Sequence, residues 1–250
     1  MTEGGLIKSF IIPDWPAPAN VRAIQTTRLG GFSSAPYDSL NLGDHVKDNP
    51  IIVAKNRQLL NPYMPSEPVW LNQVHGIRVI DAALSSCLES ADAAYTAKPK
   101  TVCVTMTADC LPVLLCDQAG TVVAAVHAGW RSLCDGVIEA TVETMQTQKF
   151  PQDTQIMAWL GPAIGPQAFE VGGEVRAQFI EKDMQAESAF IKSGDKWLCD
   201  LYKIVQQRLT KLGVKQIYGG GFCTYSDKAR FFSFRRDGDT GRMGTFIWLT

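Results

Sequence analysis

Residues 101–130 read TVCVTMTADCLPVLLCDQAGTVVAAVHAGW, and the pattern of this stretch sets the fold class. Thr101 to Met106, Leu111 to Cys116 and Thr121 to Val126 are short apolar runs rich in β-branched residues, and each predicts a strand. Thr107-Ala108-Asp109-Cys110 separates the first two, and Gly120 marks a turn before the third. From Arg131 to Gln146 the spacing becomes helical, with Leu133, Val137, Ala140, Thr141 and Met145 on one side.

Working outward, Gln155 to Leu160 predicts a strand running into the Gly-Pro turns of Gly161 to Pro166. Glu174 to Ile180 and Leu201 to Leu212 predict helices, the second stopped by Gly213. Ile217-Tyr218, Phe231 to Phe234 and Thr245 to Leu249 supply the last strands. Upstream, Gly30-Gly31, Ser33-Ser34 and Pro36 mark a loop, and Asp48 to Leu60 has helical spacing with a start at Asp48, Asn49 and Pro50. Pro62, Pro65 and Pro68 make an extended connection into Val69-Trp70-Leu71, read as a strand leading to His75. Strands and helices mix throughout, so the architecture is α/β or α+β. No repeat, low-complexity tract or linker divides the chain, and residues 1–250 are expected to form a single domain.

Composition narrows the function. Apolar residues at 46% and charged residues at 20% describe an ordinary globular protein that can bury a sizeable core without disulfides. A formal net charge of -1 argues against non-specific nucleic-acid binding, though not against a small anion held by placed arginines. No run is long enough to span a membrane, and the N-terminus lacks the pattern of a signal peptide. Seven irregularly spaced cysteines suggest no disulfide framework, and the expected compartment is the reducing cytoplasm.

Three histidines are present, His45, His75 and His127. Gln73-Val74-His75-Gly76 and Val126-His127-Ala128-Gly129 each place a histidine where an apolar, strand-like segment opens into a Gly-containing turn, and Cys110 holds the equivalent place between two predicted strands. Two imidazoles and a thiolate suit zinc, and three protein ligands plus water is the arrangement of a catalytic site. Copper is the competing metal, but blue-copper sites crowd their ligands into one loop, and a multicopper oxidase needs far more than three histidines. In the metal-free alternative Cys110 is a nucleophile with His75 or His127 as its base. A non-catalytic binding or interaction protein is the third reading, and an open metal site argues against it.

Further stretches carry a resemblance: Thr26 to Ser33, Ser39 to Gly43, Asn72 to Gly76, Thr107 to Pro112, His127 to Arg131, Gly161 to Gly165, Cys223-Thr224, Phe232 to Arg236 and Thr240 to Arg242. In this order they resemble the YfiH/laccase-domain family of bacterial proteins, once labelled polyphenol oxidases and described as zinc-dependent purine nucleoside phosphorylases. The resemblance implies an α+β single domain with mixed sheets flanked by helices, similar to a toxin cysteine amidohydrolase. It implies that His75, Cys110 and His127 are zinc ligands. It further implies phosphorolysis of adenosine, inosine, guanosine and their 5'-methylthio relative, together with adenosine deamination. Some members are also described as peptidoglycan editing factors, so an amide hydrolase using zinc-bound water or Cys110 is the alternative.

On that reading Asp109 is a candidate for proton transfer or ligand orientation, set against a plain turn-capping role. Phosphate would be held by arginines, with Arg131 favoured at the start of a predicted helix and Arg28, Arg57, Arg235, Arg236 and Arg242 as further candidates. Gly30-Gly31-Phe32-Ser33 is a candidate backbone nest. Asn41 and Gln73 are candidates for contacts to base or ribose, and Trp130, Phe169 and Phe232 for stacking. His45 is a candidate for lining the site, and Glu170 for orienting a histidine. Cys87, Cys103, Cys116, Cys134, Cys199 and Cys223 read as buried thiols.

Overall fold

The computed structural model describes residues 6–85, 88–149 and 151–250. Strands and helices are numbered in chain order. The central sheet has six strands in the order β11 (Gln216–Gly219), β7 (Ile156–Leu160), β5 (Leu111–Asp117), β6 (Val123–Ala128), β3 (Ala93–Thr96) and β2 (Val79–Asp81). It is mixed: β11–β7 and β2–β3 are parallel, and β7–β5, β5–β6 and β6–β3 are antiparallel. A second, antiparallel sheet has the order β1 (Val21–Gln25), β12 (Met243–Leu249) and β4 (Cys103–Thr107). A small third sheet pairs β8 (Glu170–Val171), β10 (Lys196–Cys199) and β9 (Phe190–Ser193).

Alternation along β5 and β6 explains why their sequences are apolar without a break. Val113, Leu115, Ala124 and Val126 pack with helices α3 (Val137–Gln148) and α5 (Leu201–Lys211). Leu114, Cys116, Val123 and Ala125 pack on the other face against Cys103, Ile247 and Leu249 of the second sheet. A strand covered on both faces has no polar side to show. The outer face of the second sheet, with Val104, Met106, Phe246 and Trp248, is closed by Leu40, Leu42, Leu60 and Trp70. The fold is therefore α+β, with helices, a six-stranded sheet and a three-stranded sheet stacked in layers.

Helix α1 (Pro50–Gln58) starts where Asn49 accepts a hydrogen bond from the Ile51 amide, as the Asn-Pro signal predicts. Helix α4 (Gly173–Lys182) is longer than its predicted core, and Asp200 caps α5 through the Lys203 amide. Three expectations fail. Val69 to Leu71 forms no strand and makes only single bridges, Val69 to Cys103 and Asn72 to Ser90, because the neighbouring prolines leave too little continuous backbone to pair. The helix from Arg131 to Gln146 is two helices, α2 (Trp130–Asp135) and α3, broken at Gly136 with φ 108°. Phe231 to Phe234 is not a strand: Phe231 and Phe232 are buried, and Ser233 caps the short helix α6 (Phe234–Asp237) through the Arg236 amide. No helix among the described residues is long and apolar enough to cross a membrane.

Candidate metal centre

The turn from β4 to β5 crosses from the second sheet to the central one, and Cys110 sits at that crossing. Its neighbour Asp109 has φ 101°, a conformation rare outside glycine. Asp109 is held there by its own contacts: Oδ1 accepts from Thr224 Oγ1 at 2.6 Å, and Oδ2 accepts from the Arg235 amide at 2.7 Å. Pairing of Pro112 with His127 in the β5–β6 ladder then brings His127 beside Cys110. His127 is buried within β6, which runs two residues past its expected end at Val126.

His75 arrives from a loop, not from a strand end, and has φ 58°. Asp92 holds that loop. Its carboxylate accepts from the amides of Val74, His75 and Gly76 at 3.2, 2.9 and 2.6 Å, and Oδ1 also lies 2.8 Å from His127 Nδ1. The Asp92 carbonyl accepts from the His127 amide at 2.7 Å. One fully buried carboxylate thus positions both histidines and directs His127 Nε2 away from itself. Although burial opposes its charge, the His127 and amide bonds hold the Asp92 pKa below the ordinary value.

One donor atom each from His75, Cys110 and His127 lies within 4.8 Å of the others, and Cys110 Sγ is 3.8 Å from His75 Nε2. The two imidazole rings meet edge to face with centroids 4.7 Å apart. Burial works against ionising the Cys110 thiol, but the facing His127, by charge and hydrogen bond, and His75 bring it down to about 6. Burial likewise opposes a charged His127, and the Cys110 thiolate and Asp92 raise it to about 9. The pair is a thiolate beside an imidazolium, the charge pattern a metal cation would replace. Gly129 makes the approach possible: a Cβ there would lie 2.5 Å from His75 Cδ2 and 3.2 Å from Cys110 Sγ. The donor set, its carboxylate support and the bare glycine fit a single metal ion.

The three donors open onto a cleft of about 670 Å³. Of the sequence candidates, Arg131, Arg235, Arg242, His45, Trp130 and Phe169 line it, as do Gln73, Asp109 and Glu170. Arg131 is exposed and stacks over Trp130 with its guanidinium carbon 4.3 Å from the ring centroid. Arg235 donates to the Glu170 carbonyl at 2.7 Å and lies over Phe169. Burial and the charge of Arg242 lower the pKa of His45. Thr107, which the sequence reading passed over, lines the cleft with a buried hydroxyl that lacks a partner among the described residues. Such an orphan costs about 1–3 kcal/mol unless something fills the gap.

Several candidates have other work. Arg28 donates to the Asp38 and Lys228 carbonyls, pairs with the Asp38 carboxylate and covers Phe232, so both Arg28 and Phe232 are structural. Arg57 donates to the Leu42 carbonyl, pairs with Asp44 and lies over Trp70. Arg236 ties the carbonyls of Thr224, Tyr225 and Phe231. Asn41 is fully buried and bonded to Gly43, Asp48 and the Arg242 amide. Gln73 lines the cleft, but its amide both donates to and accepts from the Met106 backbone. Glu170 pairs with Lys196 and orients no histidine; Asp92 does that. The amides of Gly30, Gly31, Phe32 and Ser33 are all taken by Ser39 and Asn56, so no anion nest forms there. Helix α2, with only six residues, is no anion site either. Cys103, Cys116, Cys134 and Cys199 are buried as expected, Cys223 is half-buried, and Cys87 lies outside the described residues.

Asp92 was within reach of sequence reasoning. A lone acid among the small apolar residues of Ala91-Asp92-Ala93-Ala94 is a buried charge that needs partners.

Comparison with known proteins bears on this centre. Residues 22–250 match the family model described as multi-copper polyphenol oxidoreductase laccase. The chain belongs to this family. Laccase-family relatives include an Escherichia coli K12 protein named purine nucleoside phosphorylase YfiH, 54% identical over 246 residues, covering 97% of this chain and 100% of the relative. A Pseudomonas aeruginosa protein also named purine nucleoside phosphorylase is 51% identical, covering 97% and 99%. Among solved structures, a Neisseria meningitidis protein superposes with TM-score 0.89 at 47% identity, covering 96% and 99%. Bacillus licheniformis YfiH follows with TM-score 0.83 at 31% identity, covering 92% and 93%. The family description refers to copper clusters, yet this member has three histidines in all, too few for a multicopper centre.

Proposed function

We propose that this chain is a zinc-dependent purine nucleoside phosphorylase of broad specificity, acting on adenosine, inosine, guanosine and 5'-methylthioadenosine, and that the same centre deaminates adenosine. The observation that carries the reading is the donor group His75, Cys110 and His127, preset by Asp92 and facing a cleft walled by aromatic and arginine side chains. The names of the relatives support the purine nucleoside phosphorylase part of this reading. Nitrogen and sulfur donors without oxygen favour zinc over harder metals. A zinc ion held by His75, Cys110 and His127 would supply Lewis-acid polarisation and make water more acidic.

The protein's own residues divide the rest of the work. Asp92 keeps His127 in the tautomer that presents Nε2 and keeps His75 on the cleft side. Trp130 and Phe169 offer aromatic surface to a purine, and the arginines on the rim of the cleft offer charge to phosphate. Asp109 serves as scaffold, since both of its oxygens are committed to Thr224 and Arg235. The test is release of hypoxanthine from inosine, followed with ribose 1-phosphate as co-product. The rate should rise with phosphate, vanish with a chelator and return with zinc. No nucleoside turnover at any phosphate concentration would contradict the reading.

One observation favours a second reading. Asp92, His127 and Cys110 stand in the order of orienter, base and nucleophile, with a depressed thiol pKa. This arrangement suits an amide hydrolase acting on a peptidoglycan precursor. Cleavage of a muramyl–amino-acid amide that persists in chelator would establish it.

A further inference from the structure

We propose that Thr107 and Arg242 together form the subsite for inorganic phosphate, on the Cys110 side of the cleft. The inference rests on the phosphorylase reading and gives one of its two substrates a place. Thr107 ends β4, and its Cα partner across the sheet is Met243 at the start of β12. Arg242 therefore stands beside the turn that carries Ala108, Asp109 and Cys110, and both Thr107 and Arg242 line the cleft.

Arg242 is prepared as a rigid cation. Its amide donates to Asn41 Oδ1 at 2.9 Å, and its Nη1 donates to the carbonyls of Thr240 and Gly241 at 2.9 and 3.1 Å. Gly43 closes on the stem, where a Cβ would come within 2.7 Å of Arg242 Cγ. Nε and Nη2 have no protein acceptor among the described residues, which leaves one edge of the guanidinium for a ligand. The Thr107 hydroxyl is the second, independent sign: Thr107 lines the cleft, and its buried hydroxyl has no partner among the described residues. A guanidinium edge and a hydroxyl are what a tetrahedral oxyanion accepts.

The other cations of the cleft are less suited. Arg131 is exposed and stacked on Trp130, and Arg235 is tied to the Glu170 carbonyl. The nearest carboxylate, Asp109, is bonded to Thr224 and the Arg235 amide. Burial and Arg242 keep His45 below its ordinary pKa, so this corner draws its positive charge from Arg242.

In the reaction one phosphate oxygen forms a bond to the anomeric carbon of the ribose. The glycosidic bond breaks, its electron pair leaves with the purine, and the purine takes up a proton. Ribose 1-phosphate and free base result. Holding phosphate beside the donor group converts that attack into a step within one complex.

The test uses zinc-loaded protein and inorganic phosphate itself. Phosphate binding is measured by calorimetric titration, and the KM for phosphate with inosine as co-substrate, for wild type, Arg242→Gln, Thr107→Val and Thr107→Ser. Arg242→Gln should weaken phosphate binding by ~10–100-fold and Thr107→Val by about 5-fold, as expected for a charged and a neutral hydrogen bond. Thr107→Ser should restore the wild-type value, and the KM for inosine should stay within about 3-fold throughout, less than the loss of one hydrogen bond. Unchanged phosphate binding in both Arg242→Gln and Thr107→Val overturns the subsite even if the enzyme phosphorolyses inosine. Conversely, phosphate binding that weakens as stated in a protein that cleaves no nucleoside upholds the subsite and sinks the phosphorylase reading.

Discussion

Asp92 Oδ1 lies 2.8 Å from His127 Nδ1 while the same carboxylate takes three amides of the His75 loop. Two donors that lie 52 positions apart in the chain are thereby fixed to each other through one side chain. Asp92→Asn should lower metal affinity by ~10–100-fold, the usual effect of losing a carboxylate behind a ligand histidine. Competition with a chromogenic chelator measures it.

The same carboxylate gives a pH dependence with a definite sign. Its pKa in the folded protein is depressed below the ordinary aspartate value of 3.8. Its stabilisation is therefore complete above that value and lost as pH falls through the lower folded one. The stability gap between wild type and Asp92→Asn should be largest at about pH 5–6, close below about pH 4, and narrow as pH rises towards the raised His127 pKa of about 9. Urea unfolding at a series of pH values reads this out; a gap that widens as pH falls below about 5 contradicts it.

Cys110 provides a second pH handle in metal-free protein. With a thiol pKa of about 6, its alkylation by iodoacetamide should already be near its plateau at pH 7. An ordinary thiol still gains there, since its pKa is about 8.5. Mass mapping of the peptide carrying Cys110, from pH 5 to 9, makes the comparison, and zinc should suppress the reaction.

Gly129→Ala tests the close approach. The backbone φ of -67° accepts alanine, so the substitution acts through the added methyl against His75 and Cys110. Metal affinity should fall at least ~10-fold with a Tm change of only a few degrees, because His75 is exposed and can move aside. Metal content and Tm are measured on the same preparation.

Arg28 is expected to matter for stability alone. Arg28→Met removes two hydrogen bonds and an ion pair to the exposed, solvent-screened Asp38 carboxylate, a loss of about 2–3 kcal/mol carried mainly by the hydrogen bonds. Tm should fall by ~5–10 °C for a chain of this size while the KM values for inosine and phosphate stay at wild-type level.

Residues 101–130 carried the layered fold in legible form, because β5 and β6 are apolar on both faces and show it as unbroken runs. What escaped was set by contacts distant in sequence. Val69 to Leu71 has the composition of a strand but lacks a continuous partner, and Phe231-Phe232 is buried as loop beneath Arg28 and Met243. The short strands β2 and β3, at one end of the central sheet, were too brief to stand out, and half of β3 is alanine. At the site, the chemistry of His75, Cys110 and His127 singled them out one by one, and the fold brings them together. Beyond favouring Arg131 at a helix start, the sequence could not rank the arginines: Arg28, Arg57 and Arg242 differ in which carbonyls surround them. Asp92 is marked in the sequence only as a lone acid among alanines, and its role depends on a cross-strand neighbour and a loop, neither of which lies near it in the chain.

The central claim is one zinc ion, held by His75, Cys110 and His127, on which nucleoside cleavage depends. Elemental analysis of purified wild type and Cys110→Ala, with inosine phosphorolysis assayed on the same samples, tests it most directly. The account predicts about one zinc per chain in the wild type and loss of both zinc and activity in the variant. A metal-free wild type that turns over inosine, or a Cys110→Ala protein that keeps its activity without metal, would contradict it.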